Sequence, residues 1–225
     1  CSWSAALVGA FYAQALDRAE ADNRVTSVPW EPNLPVITSF DLGVADSTAI
    51  WFVQQLPREN AIRVIDYYEE TGQGLHHYAK VLKEMPYTYS RHLFPHDVMV
   101  RELGSGSSRY EMLQGLGIRP TVVSKLGVAD GIEAVRALLP RCWFDRQKTS
   151  EGRKALRHYH RQFSDRTGDW KNKPNHDWSS HSCDSFRYLA VGLRGDVSDA
   201  LTHAARTGRL PGGGAVMAPI EGDFG

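Results

Sequence analysis

Three consecutive segments rich in β-branched and aromatic residues dominate the first third of the sequence: Val36-Ile-Thr-Ser-Phe40, Thr48-Ala-Ile-Trp-Phe-Val-Gln-Gln55 and Ala61-Ile-Arg-Val-Ile-Asp-Tyr-Tyr68. Side chains of these types favour strands. The two connections, Asp41–Asp46 and Leu56–Asn60, are short and rich in turn-forming residues. Because such short connections cannot carry the chain back across a sheet, the three strands are predicted to pair antiparallel.

Beyond Tyr68 the spacing of the apolar residues changes, and helical and strand patterns alternate. The predicted helices are Leu75–Leu82, capped by Thr71 and stopped by Pro86, then Arg109–Leu116, a helix from Asp130 to Pro140, Ser150–Phe163 and Ser180–Leu193. The predicted strands are His92–Phe94, Arg119–Ser124 and Arg141–Phe144. Three antiparallel strands followed by this alternation predict an α/β domain with a mixed central sheet flanked by helices.

The two ends of the chain differ in composition from the part between them. Residues 1–35 carry a helical pattern from Trp3 to Arg24 and then three prolines, so we expect a lead-in helix and a Pro-rich linker there. Residues 36–195 hold the strand and helix patterns of the domain. Residues 196–225 are rich in glycine and are predicted to form a flexible C-terminal tail.

Composition argues against several classes of protein. Of the 225 residues, 42% are hydrophobic and 23% charged, and no apolar run approaches the roughly 18 residues that cross a bilayer, which argues against a membrane protein and a disordered chain. Lys plus Arg and Asp plus Glu number 26 each, so net charge neither indicates nor excludes a nucleic-acid partner. The cysteines, Cys1, Cys142 and Cys183, form no CxxC pair and indicate a reducing compartment, and no leader suggests secretion.

Three aspartates are predicted to meet at one edge of the sheet. Asp41 directly follows the first strand of the domain and Asp97 follows the fourth, so both carboxylates lie at the same edge if these strands are parallel neighbours. Asp184 lies in the first turns of the last helix, three residues after His181, so these two side chains share one helical face. Carboxylates that meet repel one another unless a cation neutralises them, and an oxygen-rich site suits Mg²⁺ or Mn²⁺ rather than zinc.

Simpler roles for the same residues remain open at this point. An aspartate after a strand is commonly a turn former or a helix cap, which applies to Asp41 and Asp97. Helix propensity and packing both disfavour Asp184 in an apolar helix, so a functional role fits it better. Asp46 is either a turn former or an acid that supports the metal ligands without binding the metal itself. The His, Asp and Cys side chains within 176–183 could suggest a zinc cluster. Such a cluster is disfavoured because the sequence shows no second ligand pair elsewhere.

Basic residues concentrate in the segment 141–173, which holds ten Lys or Arg against four acidic residues. A local basic excess next to the acidic edge fits contact with the phosphate backbone of DNA without readout of its bases. The alternative for each of these residues is a solvated helix face or loop. The candidate phosphate contacts, two of which lie upstream of the segment, are Arg101, Lys125, Arg146, Lys148, Arg153 and Lys154.

Three motifs around the aspartates resemble those of a known family. They are Phe40-Asp-Leu-Gly-Val-Ala-Asp-Ser-Thr-Ala-Ile50, Phe94-Pro-His-Asp97 followed by Arg101-Glu-Leu-Gly-Ser-Gly-Ser-Ser-Arg109, and His181-Ser-Cys-Asp-Ser-Phe-Arg-Tyr188. In this order they resemble the signatures of the nuclease domain of the large terminase subunit of tailed bacteriophages, over roughly residues 36–193. The resemblance implies an RNase H-like fold in which Asp41, Asp97 and Asp184 are the metal-binding acids. It also implies that His181 holds a metal or positions water.

The same resemblance implies a metal-dependent, sequence-nonspecific DNA endonuclease that cuts concatemeric viral DNA at the initiation and termination of genome packaging. Its cofactors would be two Mg²⁺ or Mn²⁺ ions, with Asp41 bridging them and Asp97 and Asp184 each completing one side. Its partners would be double-stranded DNA and, in the full-length protein, the portal ring, the small terminase subunit and other large subunits. It would act in the host cytoplasm and transiently at the procapsid portal. The helix with Cys1-Ser-Trp3 and Phe11-Tyr12 resembles the segment that joins the packaging ATPase to the nuclease, so residues 1–35 are expected to lead in from that ATPase. No GxxxxGK[ST] loop is present, so the ATPase itself is expected to be missing.

Two other functions stay open. One is another RNase H-like nuclease, of the resolvase or transposase type, although such nucleases lack this combination of motifs. The other is a non-catalytic module that docks on DNA or on the portal, in which the acids are structural. Metal-dependent cleavage of DNA discriminates between a nuclease and a docking module.

Overall fold

The computed structural model describes residues 9–43, 47–101, 106–164 and 166–207. Its strands are β1 Val25–Thr26, β2 Val36–Asp41, β3 Ser47–Leu56, β4 Ala61–Thr71, β5 Tyr89–Phe94, β6 Pro120–Val122, β7 Cys142–Asp145, β8 Arg161–Ser164 and β9 Asp169–Pro174. Its α-helices are α1 Ala13–Ala21, α2 Leu75–Glu84, α3 Arg109–Gly115, α4 Val128–Leu138, α5 Ser150–His158 and α6 Ser180–Thr207. None of the helices described is long and apolar enough to cross a membrane.

In the described part of the chain, seven strands form one mixed sheet in the order β1-β7-β4-β3-β2-β5-β6, and β8 pairs with β9 in a separate hairpin. The strands β2, β3 and β4 pair antiparallel in sequence order, as predicted. Strand β5 lies parallel to β2, with Leu93 opposite Ser39. The predicted mixed α/β architecture is therefore confirmed, and the chain leaves β2 and β5 at the same edge of the sheet.

Helices cover both faces of the sheet because its strands carry large apolar side chains on both sides. On one face, Trp51 and Phe144 pack against Phe186 of α6, in a core that α1, α4 and α5 also join. On the other face, Phe40 and Phe94 stack with ring centroids 4.4 Å apart and pack in a core with α2 and α3. Burial of these aromatic side chains stabilises the fold.

Helix α6 is fixed to the sheet by hydrogen bonds as well as by apolar contacts. The Ser39 hydroxyl donates to the carbonyl of Ser185, and the Ser185 hydroxyl donates to the carbonyl of Ser39, both at 2.8 Å. The indole of Trp51 donates to the carbonyl of Ser182 at 2.9 Å. All four residues are buried, so each bond satisfies groups that have lost their contact with water. The start of α6 is thereby held near the edge where β2 ends.

The predicted helix 150–163 is shorter than expected. It ends at His158, and Tyr159 leaves the helical conformation with its ring stacked on Tyr12 at 5.7 Å between centroids. Phe163 consequently lies in the β8–β9 hairpin, which the sequence did not predict. The stacking partner is far away in the sequence, so local periodicity could not indicate where this helix ends.

The segment before residue 36 contributes to the domain rather than only leading into it. Tyr12 and Leu16 are buried in the core around α6. Strand β1 extends the main sheet, with Val25 opposite Phe144 of β7. This strand has two residues, which is too short to produce a recognisable alternation. Residues 1–8 of the predicted lead-in helix lie outside the described residues.

Two further boundaries differ from the prediction. Thr71, predicted to cap a helix, is the last residue of β4, where it pairs with Ser47, and Gly74 holds the N-cap position of α2. Helix α6 continues past its predicted end at Leu193 to Thr207, so the predicted C-terminal tail starts as helix. The rest of that tail, residues 208–225, lies outside the described residues.

Candidate active site

Asp41 ends β2 beside the first turn of α6. Its Oδ2 lies 2.8 Å from Nδ1 of His181, and the side chains of His181 and Asp41 are 16% and 17% exposed. The pKa of Asp41 is raised: burial raises it most, the hydrogen bond with His181 opposes this, and the charges of Asp184 and Asp97 raise it further. A buried carboxylate among other carboxylates favours the binding of a cation.

Asp184 lies one turn after His181 and is held by an arginine of the same helix. The guanidinium Nη2 of Arg187 lies 2.9 Å from Oδ1 of Asp184, and the Tyr159 hydroxyl donates to the same oxygen at 3.5 Å. The Arg187 side chain is 11% exposed. Gly131 of α4 provides the space for it, because a Cβ there would lie 2.4 Å from Cδ of Arg187. These contacts fix the orientation of the Asp184 carboxylate.

Asp97 lies in the 3₁₀ turn His96–Met99 that follows β5, and its side chain is exposed. Tyr188 of α6 connects it with the other two acids. Burial raises the pKa of Tyr188, and the charges of Asp41, Asp184 and Asp97 raise it further. All three carboxylates are therefore within electrostatic range of this phenol. Among the predicted site residues, Asp41 and His181 are in direct contact, and Asp184 and Asp97 are within electrostatic range of Asp41.

These four side chains share one edge of the sheet without forming a closed cage. Within the described ranges, no three of them bring their ligand atoms within 4.8 Å of one another. Divalent ions such as Mg²⁺ bind through one or two carboxylates and take their other ligands from water and phosphate. The donor set therefore fits a divalent cation that is bound by one or two of these carboxylates and completes its ligands with water and phosphate.

A groove of about 340 Å³ adjoins this edge and contains an acid that the sequence analysis missed. Glu69 of β4 lies opposite Ala49, and Ala49 lies opposite Asp41, so Glu69 leaves the sheet at the same edge. Its Oε2 accepts hydrogen bonds from the hydroxyls of Tyr67 at 2.5 Å and Ser182 at 3.4 Å. The register of the three antiparallel strands is the signal that could have identified Glu69.

The predicted phosphate contacts divide into residues with partners inside the domain and residues that face solvent. Arg146 donates to the carbonyl of Val25 at 2.5 Å, and Arg153 donates to the carbonyl of Arg146 at 2.7 Å and lies 3.7 Å from Glu20. These arginines join α5 and the residues after β7 to β1 and α1. The charge of Arg153 is therefore paired within the domain, whereas Arg146 is exposed and uses one guanidinium nitrogen for the contact with β1.

The other four candidates are exposed at their charged ends. Lys148, Lys154 and Arg101 each lie near one acidic side chain, at 3.7 Å from Asp66, 2.7 Å from Glu151 and 3.2 Å from Glu111 respectively. The pairs of Lys154 and Arg101 are exposed and contribute little to stability, so these two cations remain available to a polyanion, whereas the partner of Lys148 is 15% exposed. Asp46, the predicted supporting acid, lies outside the described residues.

Lys125 has the position most closely related to the acids. Strand β6 runs parallel to β5 with Val122 opposite Phe94. Lys125 follows Val122 by three residues, as Asp97 follows Phe94, so both leave the sheet at the same edge. Lys125 is exposed, and the register therefore brings a cation to the edge that carries the acids.

Comparison with solved structures identifies the fold. The chain is similar to the large terminase of a thermophilic bacteriophage, with a TM-score of 0.61 and 17% identity over 83% of this chain and 45% of that one. It is similar to the nuclease domain of the P22 large terminase, with a TM-score of 0.59 and 17% identity over 76% of this chain and 89% of that domain. It is also similar to the nuclease domain of the bacteriophage SPP1 large terminase g2p, solved with bound Mn, with a TM-score of 0.52 and 19% identity over 72% and 86% of the two chains.

These likenesses confirm the RNase H-like fold that the motifs led us to expect. The chain spans 45% of the large terminase of the thermophilic phage but matches most of the isolated nuclease domains. No protein-family model matches the chain. No curated protein matches it in sequence.

Proposed function

We propose that this chain is a divalent-metal-dependent nuclease that cleaves double-stranded DNA during viral genome packaging. The observation that carries the proposal is the contact between Asp41 at the end of β2 and His181 of α6, with Asp184 one helical turn further on and Asp97 within electrostatic range. The fold supports it, since it is the fold of terminase nuclease domains. Three acids from three separate elements lie at one edge of the sheet. Packing in the core or capping of a helix would not require this arrangement.

The acids would hold Mg²⁺ or Mn²⁺. Asp41 would bridge two ions, Asp97 and Asp184 would each complete one side, and His181 would be a further ligand or position water. The SPP1 nuclease domain, which has the same fold, binds Mn. Two such ions, when bound, activate the attacking water and stabilise the departing oxygen of a phosphodiester.

The surrounding residues of the chain orient these ligands. His181 holds Oδ2 of Asp41, and Arg187 holds Oδ1 of Asp184, so both carboxylates are positioned before substrate arrives. Lys125 lies at the same edge and would contact a phosphate of the duplex, with Lys148, Lys154 and Arg101 as further contacts. Contacts to phosphates carry no sequence information, so cleavage would be sequence-nonspecific.

In its biological setting, the chain would cut concatemeric viral DNA when packaging starts and when it ends. A packaging ATPase would then be part of the same large subunit, and the portal ring, the small terminase subunit and other large subunits would be its partners. Cleavage would take place in the host cytoplasm at the procapsid portal. The likeness to a large terminase of which this chain spans 45% supports this arrangement.

Cleavage of a supercoiled plasmid tests the proposal. The purified chain is incubated with plasmid in EDTA, Mg²⁺ or Mn²⁺, beside Asp41→Ala and the matched control Glu84→Ala, an exposed acid at the end of α2. We expect the wild type and Glu84→Ala to cleave the plasmid when metal is present. We expect Asp41→Ala not to cleave it. Equal cleavage by all three proteins would overturn the assignment of Asp41 to the active site. Absence of cleavage by any of them in either metal, with DNA still bound, would favour a docking module.

A further inference from the structure

A second group of metal-ligating side chains lies just before α6 and shares no residue with the acidic edge. Nε2 of His158 lies 3.4 Å from Oδ2 of Asp177, and Nδ1 of His160 lies 4.0 Å from the same oxygen. The ligand atoms of all three residues lie within 4.8 Å of one another, which is true of no other set of three such side chains in the described ranges. The group joins the end of α5, the start of the hairpin and the residues that cap α6.

The carboxylate of this group is held in place by its surroundings. Oδ1 of Asp177 accepts hydrogen bonds from the backbone N–H and the hydroxyl of Ser179, at 2.9 and 2.6 Å. Oδ2 accepts one from the side-chain amide of Asn175 at 3.1 Å. Burial alone would raise the pKa of Asp177, but these hydrogen bonds and His158 outweigh burial and lower the pKa. The carboxylate is therefore ionised at neutral pH and already oriented.

The two imidazoles are also partly fixed. The ring of His158 stacks on Trp178 with centroids 5.0 Å apart, and the rings of His158 and His160 lie 5.1 Å apart. The side chains of His158, His160 and Asp177 are 31%, 18% and 19% exposed. The group is therefore open enough for an ion to enter and buried enough to limit the motion of its ligands.

We propose that His158, His160 and Asp177 form a binding site for a divalent transition-metal ion of the zinc type. Two imidazoles and one carboxylate suit Zn²⁺ or Co²⁺, whereas the acidic edge offers mainly oxygen and suits Mg²⁺ or Mn²⁺. Ligand atoms around a tetrahedral zinc lie about 3.3 Å apart, given bonds of about 2.0–2.1 Å. The distance between Nε2 of His158 and Oδ2 of Asp177 already matches this value. A rotation of the His160 ring would shorten the 4.0 Å between its Nδ1 and the same oxygen. On binding, Nδ1 of His160 would give up its hydrogen bond to the His158 carbonyl, 2.8 Å away, and the ring proton would move to Nε2, so that the lone pair of Nδ1 is free for the ion.

The position of the site gives it a structural role. The backbone N–H of Asn175 donates to the carbonyl of His160 at 2.9 Å, so the two ends of the hairpin already meet here. The carbonyl of Asp177 accepts the first backbone hydrogen bond of α6, from the N–H of Ser180 at 3.0 Å. A bound ion would cross-link the hairpin base to the start of the helix that carries His181. This role is independent of the proposed nuclease activity.

Binding of Co²⁺ and Zn²⁺ tests this proposal. The titrations are made on Asp41→Asn/Asp97→Asn, which removes ligands of the acidic edge, and in that background on His158→Gln and His160→Gln. His176→Gln is the matched control, because His176 is an exposed histidine next to Asp177. Visible absorption of bound Co²⁺ reports the ligand set, and circular dichroism verifies that each variant is folded.

We expect one tightly bound ion in the parent and in His176→Gln. We expect His158→Gln and His160→Gln each to weaken binding by at least about tenfold, since even loss of a supporting group costs a metal site that much. Zn²⁺ at about a hundred times its Kd should raise the melting temperature of the parent by about 5–10 °C. Unchanged affinity in both histidine variants, or absence of binding in the parent, would overturn the proposal.

Discussion

The acidic edge and the basic segment 141–173 both concentrate charge, but the fold uses the two in different ways. Asp41 and Asp184 are oriented by His181 and Arg187, which belong to α6 and not to the basic segment. In the basic segment, Arg153 and Arg157 pair with acidic residues of α1. At the acidic edge the pairs orient carboxylates, whereas in the basic segment the pairs join α5 to α1 and support stability. The predictions below separate these two uses.

The largest effect is expected from the exposed acid of the edge. Asp97→Ala should reduce metal-dependent plasmid cleavage by at least about a thousandfold, as expected for removal of a residue of the catalytic machinery. Because Asp97 is exposed, the melting temperature of the variant should stay that of the wild type. Cleavage rates and thermal unfolding are measured on the same preparations. Cleavage within about tenfold of the wild type would remove Asp97 from the site.

Arg187→Met should affect both activity and stability. The substitution keeps most of the buried volume but leaves Asp184 without its cation, and breaking such a pair costs about 3 kcal/mol of the free energy of unfolding. Cleavage should fall as well, because the Asp184 carboxylate is no longer oriented. Urea unfolding measures the first effect, with Lys80→Met on the exposed face of α2 as control. A variant as stable as the wild type would show that Arg187 does not hold Asp184.

Arg153→Ala should reduce stability without weakening DNA binding. It removes hydrogen bonds to the Arg146 carbonyl and the Thr149 hydroxyl and the ion pair with Glu20, together about 1–2 kcal/mol. DNA affinity, measured by fluorescence anisotropy in EDTA, should match that of the wild type. If DNA binding weakened while stability held, Arg153 would belong with the phosphate contacts after all.

Lys125→Ala should show the opposite behaviour. Loss of one phosphate contact should weaken DNA binding a few-fold and reduce the slope of log affinity against log salt by about 1. Stability should not change, because Lys125 is exposed. Arg153→Ala at the same salt concentrations is the matched control. An unchanged slope in Lys125→Ala would mean that DNA does not cross this edge beside Asp97.

Asp41→Asn should change how stability depends on pH. The pKa of Asp41 is raised in the folded protein, so folding favours the protonated carboxyl. Stability is therefore lost as the pH rises from the pKa of Asp41 in the unfolded chain to its higher pKa in the folded protein. Asn cannot ionise. The substitution should therefore raise the melting temperature in EDTA more at about pH 8 than at about pH 4, while Glu84→Gln should not. An equal rise in the melting temperature at both pH values would contradict a raised pKa of Asp41.

The sequence led to the acidic edge because each acid lies in or directly after an element that the pattern predicts. Asp41 and Asp97 each follow an apolar strand, and the parallel pairing of β2 with β5 brings them to one edge. Asp184 and His181 share a face through helical spacing alone. Glu69 was missed for a related reason: its position depends on the register across three strands, which the strand pattern does not specify by itself.

The basic segment was harder to interpret because its contacts are tertiary. Counting charges between residues 141 and 173 could not reveal that Arg153 pairs with α1 or that Arg146 binds the carbonyl of Val25. The β8–β9 hairpin was missed because stacking on Tyr12 ends α5 at His158, where the local sequence favours a longer helix. Both errors depend on contacts with the first 35 residues, which were expected to lead into the domain rather than to belong to it.

The most direct test of the central claim is the location of bound Mn²⁺. Crystals of the chain grown with Mn²⁺ and a short DNA duplex would be examined by anomalous scattering. We expect Mn²⁺ bound to Asp41, with Asp97 or Asp184 as a second ligand and a phosphate oxygen beside it. Mn²⁺ bound elsewhere in the molecule, with the three carboxylates free, would contradict the assignment of this edge as the site of DNA cleavage.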